Sequence, residues 1–171
     1  VKDSAAVYRS LVDQGYSPSR MAVAGDSAGG GLAMATLLAL KDDKDPLPAA
    51  AALISPWVDA EGTGESMTTK ASVDPMITPG SLKNIAALFL GPDGDPKDPL
   101  ASPLLGDVAD LPPILIQVGE SEVLLDDSRR LAAKITEAGG EAELEVWPEM
   151  VHVWHGSAGL VPESDQAIAR I

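Results

Sequence analysis

One serine set among glycines and two histidines in a single loop are the residues of this sequence best suited to chemistry. The serine lies in "GDSAG", Gly25 to Gly29, which has the form G-x-S-x-G and runs on into Gly30 and Gly31. An apolar run, Arg20 to Ala24, leads in, and an apolar helical pattern, Ala28 to Leu40, leads out. A nucleophile elbow sits at such a strand-to-helix joint. Its serine takes a strained backbone conformation, and small neighbours let strand and helix approach. Gly25, Asp26, Gly29 and Gly30 are thus the expected elbow around Ser27. The helix N-terminus would direct free N–H groups at a developing oxyanion. A phosphate cradle is the competing reading. It fails because no Lys precedes a Ser/Thr as in a Walker loop, because "GDSAGGG" is not G-x-G-x-x-G, and because Asp26 would repel a phosphate. A third reading is a tight packing turn with an idle serine. It loses ground once a base and an acid follow in the right order.

A serine needs a base within hydrogen-bond reach. The only histidines are His152 and His155, both in "PEMVHVWHG". His152 is nearer the preceding strand and is favoured. His155 falls nearer a helix start, where it would pack or help a cap. A metal pair in "HVWH" lacks a third clustered ligand. Glu149-x-x-His152 has a di-iron spacing but occurs once and on no helical bundle. The acid that orients the imidazole is expected in "GESEVLLDDS". Glu122 stands at the loop–helix joint and comes first. Asp126, one helical turn on, is its supporting partner or its replacement. The order Ser27, Glu122, His152 is that of α/β-hydrolase folds and differs from the chymotrypsin and subtilisin orders.

The elements that must position these residues alternate along the chain. Helical periodicity marks Val1 to Gln14, Ala28 to Leu40, Ser81 to Leu90, Leu124 to Ala138 and most of Ser157 to Ile171. Short apolar runs mark strands at Arg20 to Ala24, Ala49 to Ile54, Ile114 to Val118 and Glu141 to Trp147. Residues 55–80 and 91–113 form long loops rich in Pro, Gly and Asp. The expected fold is α/β: about four parallel strands with helices on both faces. Ligands on such sheets sit at the carboxyl ends of the strands, where the serine, acid and histidine loops converge.

Composition narrows the partners. The 171 residues make one ordinary domain or part of a larger one. Acidic residues number 26 against 12 basic, a net charge of −14, which disfavours nucleic acid and anionic membrane surfaces. No apolar run is long enough to span a bilayer. There is no cysteine, so disulfides and thiolate metal sites are excluded and the compartment stays open.

"RMAVAGDSAGGGLA", "ISPWVD" and the run from "ASPLLGDVADLPP" through "GESEVLLDD" to "MVHVWH" together resemble the bacterial hormone-sensitive-lipase-like esterases of the α/β-hydrolase superfamily. The similarity runs nearly end to end. It implies a serine carboxylesterase acting on short- to medium-chain acyl esters, with Ser27 as nucleophile, His152 as base and Glu122 in the place of the family's usual Asp. It implies no cofactor and no metal, a small-molecule ester as the only expected partner, and leaves homo-oligomerisation open. The family's oxyanion hole combines the N–H after the serine, here Ala28, with an upstream His-Gly-Gly-Gly segment. That segment, the early strands and the cap are absent from residues 1–171. The chain is therefore expected to be the C-terminal part of a catalytic domain and inactive by itself. Peptidase, amidase or lactonase chemistry on the same fold, or a binding module without catalysis, are the rival readings. Trp57, Met76 and Trp154 are candidates to line a pocket or simply to pack.

Overall fold

The computed structural model describes residues 1–171. Four parallel strands, β1 (Ala22–Asp26), β2 (Ala50–Ile54), β3 (Ile114–Gly119) and β4 (Ala142–Trp147), lie side by side in chain order. Ile54 is level with Asp26 and Gln117, and Gly119 with Trp147. The strands therefore end almost together, and the loops that follow them meet at one rim.

Sequential strand order with right-handed crossovers sends every crossover to the same side. The core follows that rule. Ala51, Leu53, Ile114 and Ile116 point to one face and pack with Met34 and Leu37 of α2 (Ala28–Asp42) and with Leu131 and Ile135 of α5 (Leu125–Glu137). Helix α2 is apolar almost all round because it is sandwiched. The sheet covers one side, and Ala5 and Tyr8 of α1 (Lys2–Asp13) meet Leu40 on the other. The second face is covered unevenly. Helix α6 (Pro162–Ile168) and the turn before it reach this face, where Gln117 Nε2 donates to Ala167 O at 3.0 Å and Arg170 Nε pairs with Glu145 at 2.7 Å. Ala22 and Ala24 of β1 remain exposed there. Helices thus occur on both faces, as the alternation predicts, but in unequal number.

Several boundaries differ from expectation. Arg20 belongs to a 3₁₀ turn, Pro18–Arg20, and β1 starts at Ala22. The expected last helix is broken: Trp154–Ser157 is a 3₁₀ turn, Gly159 takes φ +78°, and α6 starts only at Pro162, whose fixed φ suits a first helical position. Helix α4 (Pro79–Leu90) begins two residues earlier than its apolar pattern, because Thr78 and Ser81 form a capping box and Pro79 fills the first turn.

The long loop after β2 carries a single turn of helix, α3 (Ser66–Thr69), and is held by carboxylates that accept backbone N–H groups. Asp127 Oδ2 accepts from Val58 N at 2.9 Å and Asp59 N at 3.0 Å. Asp74 accepts from Val123 N, Met76 N and Ile77 N, each at 2.9 Å. Burial pushes the Asp127 carboxyl up to about 7, reinforced by the neighbouring Asp59 charge and opposed by the two N–H bonds and Arg130. Its Oδ1 has no partner. For Asp59, burial pushes up as well, but bonds from Thr63 and Arg130 outweigh it and hold that carboxyl low.

A raised carboxyl pKa means that the stability Asp127 contributes is whole below the ordinary carboxylate range and is lost as pH rises through about 7. Asp127→Asn keeps an oxygen for the two N–H groups and cannot ionise. Urea unfolding at about pH 5 and about pH 8 is expected to show a smaller loss of stability over that interval for Asp127→Asn than for the parent.

Candidate active site

Ser27 sits one residue past β1. Its N–H donates to Ile54 O at 2.8 Å, continuing the ladder, and the chain then turns with φ +54° and ψ −121°. This is a strained conformation for a residue with a Cβ. The turn folds the first helical residues of α2 back onto β1. A Cβ on Gly25 would lie 2.2 Å from Gly29 O, and one on Gly31 would lie 2.2 Å from Trp57 O. Gly30 faces Pro56 at 2.8 Å. Gly29 itself has open space around its Cα, so its backbone, and not a missing side chain, makes the contact. Helix α2 starts at Ala28, whose N–H is a first-turn donor without an intrahelical acceptor.

His152 is buried in the loop after β4, and its Nε2 is 2.9 Å from Ser27 Oγ. Its Nδ1 is 2.7 Å from Glu122 Oε2. A carboxylate only accepts, so Nδ1 carries the proton and Nε2 is free to accept from the Ser27 hydroxyl. Glu122 has no exposed surface. Its Oε1 accepts from Gly119 N at 2.6 Å and from Ser55 Oγ at 2.8 Å. The extra methylene of a glutamate lets the side chain bend back to the end of its own strand while its other oxygen reaches the imidazole.

The remaining candidates lie elsewhere. Asp126 touches neither His152 nor Glu122. Its Oδ2 accepts from Ser66 N at 2.8 Å, so it anchors α3 and lies apart from the His152–Glu122 pair. The physical reason is helical geometry: Glu122 precedes α5 in a turn, and Asp126 projects from the first turn toward the β2 loop. His155 packs at a tilt against Trp154, with ring centroids 4.0 Å apart. Its Nε2 is 2.8 Å from Gln117 Oε1. Because Gln117 Nε2 donates to Glu145 and Ala167, its oxygen must accept, and His155 is the donor. Burial lowers the His155 pKa, against the opposing charge of Asp26. Its Nδ1 has no partner.

Ser55 is the residue that sequence reasoning passed over. It follows β2 as Ser27 follows β1, and "ISPW" was the available signal: a serine directly after a buried strand. An apolar groove of about 310 Å³ runs beside the elbow, from Ala28 and Gly29 past Trp57 to Ile85 and Phe89 of α4. Met76 and Trp154 do not line it: Met76 is exposed, and Trp154 packs on Trp147 and His155. A larger hollow of about 610 Å³ lies over the alanines of β1 and β2, away from Ser27. In open α/β sheets ligands sit at the carboxyl ends of the strands, which favours the groove beside the elbow. No three His, Asp or Glu side chains gather as metal ligands. No helix is long and apolar enough to cross a membrane.

Comparison with known proteins agrees with this architecture. The family described as alpha/beta hydrolase fold matches residues 1–156. An acetyl-hydrolase of Streptomyces hygroscopicus is 48% identical over 168 residues, covering 98% of this chain and 56% of that protein. An esterase of Acinetobacter venetianus is 35% identical, covering 96% of this chain and 54% of that protein. The crystal structure of an esterase from the bacterial hormone-sensitive lipase family superposes with a TM-score of 0.97 at 53% identity, over 99% of this chain and 57% of that one. The chain thus spans a little over half the length of the relatives it matches.

The end of β3 and the histidine loop meet without room for a side chain. A Cβ on Gly119 would lie 2.3 Å from Met150 O. Gly119→Ala is expected to cost about 1–3 kcal/mol in denaturant unfolding, because backbone on both sides must move.

Proposed function

Because the chain belongs to the hormone-sensitive-lipase-like branch of the α/β-hydrolase family, we propose that it carries the nucleophile, base and acid of a carboxylic ester hydrolase. One observation supports this reading above all. Ser27 Oγ, His152 and Glu122 form an unbroken relay with spacings of 2.9 and 2.7 Å, built from three separate loops.

In the proposed reaction, Ser27 Oγ attacks the ester carbonyl carbon while its proton passes to His152 Nε2. Glu122 stabilises the imidazolium through Nδ1–H. The carbonyl oxygen becomes an oxyanion facing Ala28 N–H. Collapse breaks the bond to the alkoxy oxygen, which leaves as the alcohol with the proton from His152. The acyl group stays on Ser27. Water, deprotonated by His152, then attacks the acyl carbon and releases the acid. No cofactor enters these steps.

The substrate class follows the relatives' names. The Streptomyces protein is called an acetyl-hydrolase, and a small acyl group is the corresponding proposal for this chain. A binding module without catalysis is disfavoured, because a buried glutamate linked through an imidazole to a strained serine is costly and serves no binding role. We read the chain as part of a larger catalytic domain. The relatives extend well beyond the matched segment, and β1 has no partner on its outer edge. The remaining oxyanion donors would come from that larger domain. Each missing donor costs about 10²–10³ in turnover, so the isolated chain is expected to hydrolyse p-nitrophenyl acetate poorly.

A fluorophosphonate probe tests the nucleophile directly. It is expected to modify the peptide containing Ser27, and Ser27→Ala is expected to abolish the adduct. An adduct that persists in Ser27→Ala overturns the assignment. Glu122→Gln is expected to slow labelling by about 10⁴-fold, the size of loss seen when a triad carboxylate is neutralised. Asp126→Asn should leave the rate nearly unchanged, and the reverse ranking would return the acid to Asp126.

A further inference from the structure

Ser55 is fully buried at the end of β2, with φ +45°. Its N–H donates to Gln117 O at 2.7 Å. Its hydroxyl touches two further groups: Glu122 Oε1 at 2.8 Å and Val153 N at 3.2 Å. The chemistry of the partners fixes the direction of both bonds. A carboxylate has no proton to give, and a backbone N–H has no lone pair. The Ser55 hydroxyl must therefore donate to Glu122 and accept from Val153.

Each of those partners adjoins the relay. Glu122 uses Oε1 for Ser55 and Gly119, which leaves Oε2 for His152. The terminal torsion of a glutamate is broad and nearly two-fold, so packing alone does not hold the carboxylate plane. Val153 follows His152 and takes φ +50°, ψ +43°. A β-branched residue is strained in that left-handed region and needs an external hold. The hold on its N–H is Ser55.

We propose that Ser55 is a positioning residue: its one hydroxyl orients the Glu122 carboxylate toward His152 and locks the left-handed turn that carries the His152 ring. The proposal rests on the reading of Ser27, His152 and Glu122 as the catalytic relay. It assigns a role to the serine of "ISPW" that neither the elbow nor the acid loop accounts for.

Ser55→Gly is the discriminating variant. Glycine adopts φ +45° without strain, which offsets part of the cost of the lost hydrogen bonds, so the fold is retained while the hydroxyl is lost. Ser102→Ala is the control. Ser102 is an equally buried serine bonded to Ala60 N and Pro96 O, away from the relay. Two readouts are compared: the far-downfield, slowly exchanging proton of His152 Nδ1–H in NMR, and the rate of fluorophosphonate labelling at Ser27. In Ser55→Gly the proton resonance is expected to broaden away and labelling to slow by roughly 10–100-fold, the scale of one hydrogen bond to a charged group. Thermal unfolding should stay cooperative, with a modest loss from the two missing hydrogen bonds. Ser102→Ala should keep both signals. Retention of the Nδ1–H resonance in Ser55→Gly overturns the assignment, and so does an unchanged labelling rate. Failure of the parent to label at all is a different result: it contradicts the hydrolase reading, while the resonance still decides the role of Ser55.

Discussion

A carboxylate without exposed surface is the constraint around which the rim of this sheet is arranged. Glu122 is such a group, and a buried charge costs several kcal/mol unless donors surround it. Three donors do so, each from a different element: Gly119 N at the end of β3, Ser55 at the end of β2 and His152 in the loop after β4. The donors converge only if the strands end level, as the register of Ile54 with Gln117 and Gly119 with Trp147 ensures. The buried charge therefore couples sheet register to imidazole orientation, and through His152 Nε2 to Ser27.

Backbone strain also appears in this place. Ser27, Ser55 and Val153 all take positive φ without being glycine, at about 1–3 kcal/mol each. The first two use the same device. Their N–H groups extend the sheet ladder by one residue, to Ile54 O and Gln117 O, and the chain then leaves the strand sharply. The close backbone contacts at Gly25, Gly31 and Gly119 are the counterpart of these turns. They bring α2 onto β1, the β2 loop onto α2, and the histidine loop onto β3. The apolar core between α2, the sheet and α5 offsets that strain.

The acidic character of the chain has a structural use outside the relay. Asp59, Asp74, Asp126 and Asp127 accept backbone N–H groups from the loop after β2 or from the start of α5. A loop of this length has few ladder bonds, so side-chain acceptors satisfy its N–H groups instead. Three acids within six residues thus do three different things. Glu122 meets the imidazole, Asp126 anchors α3, and Asp127 anchors the chain after β2 and sits where burial suppresses its ionisation.

The strand and helix alternation, the G-x-S-x-G joint and the order of serine, acid and histidine were all legible along the chain, because each is a local pattern or a simple order. Apolar periodicity marked α2 and α5, and a glycine-rich joint between a strand and a helix has few other uses. Local pattern put Glu122 ahead of Asp126, and His152 ahead of His155, only by position relative to a helix start or a strand end. It also missed Ser55, since one serine after one strand carries no periodic signal. The contacts these residues make belong to the tertiary structure alone. They depend on side chains 125 and 67 residues apart meeting at the sheet rim, and a contact between distant segments is set by register and loop packing, which no short window of sequence contains.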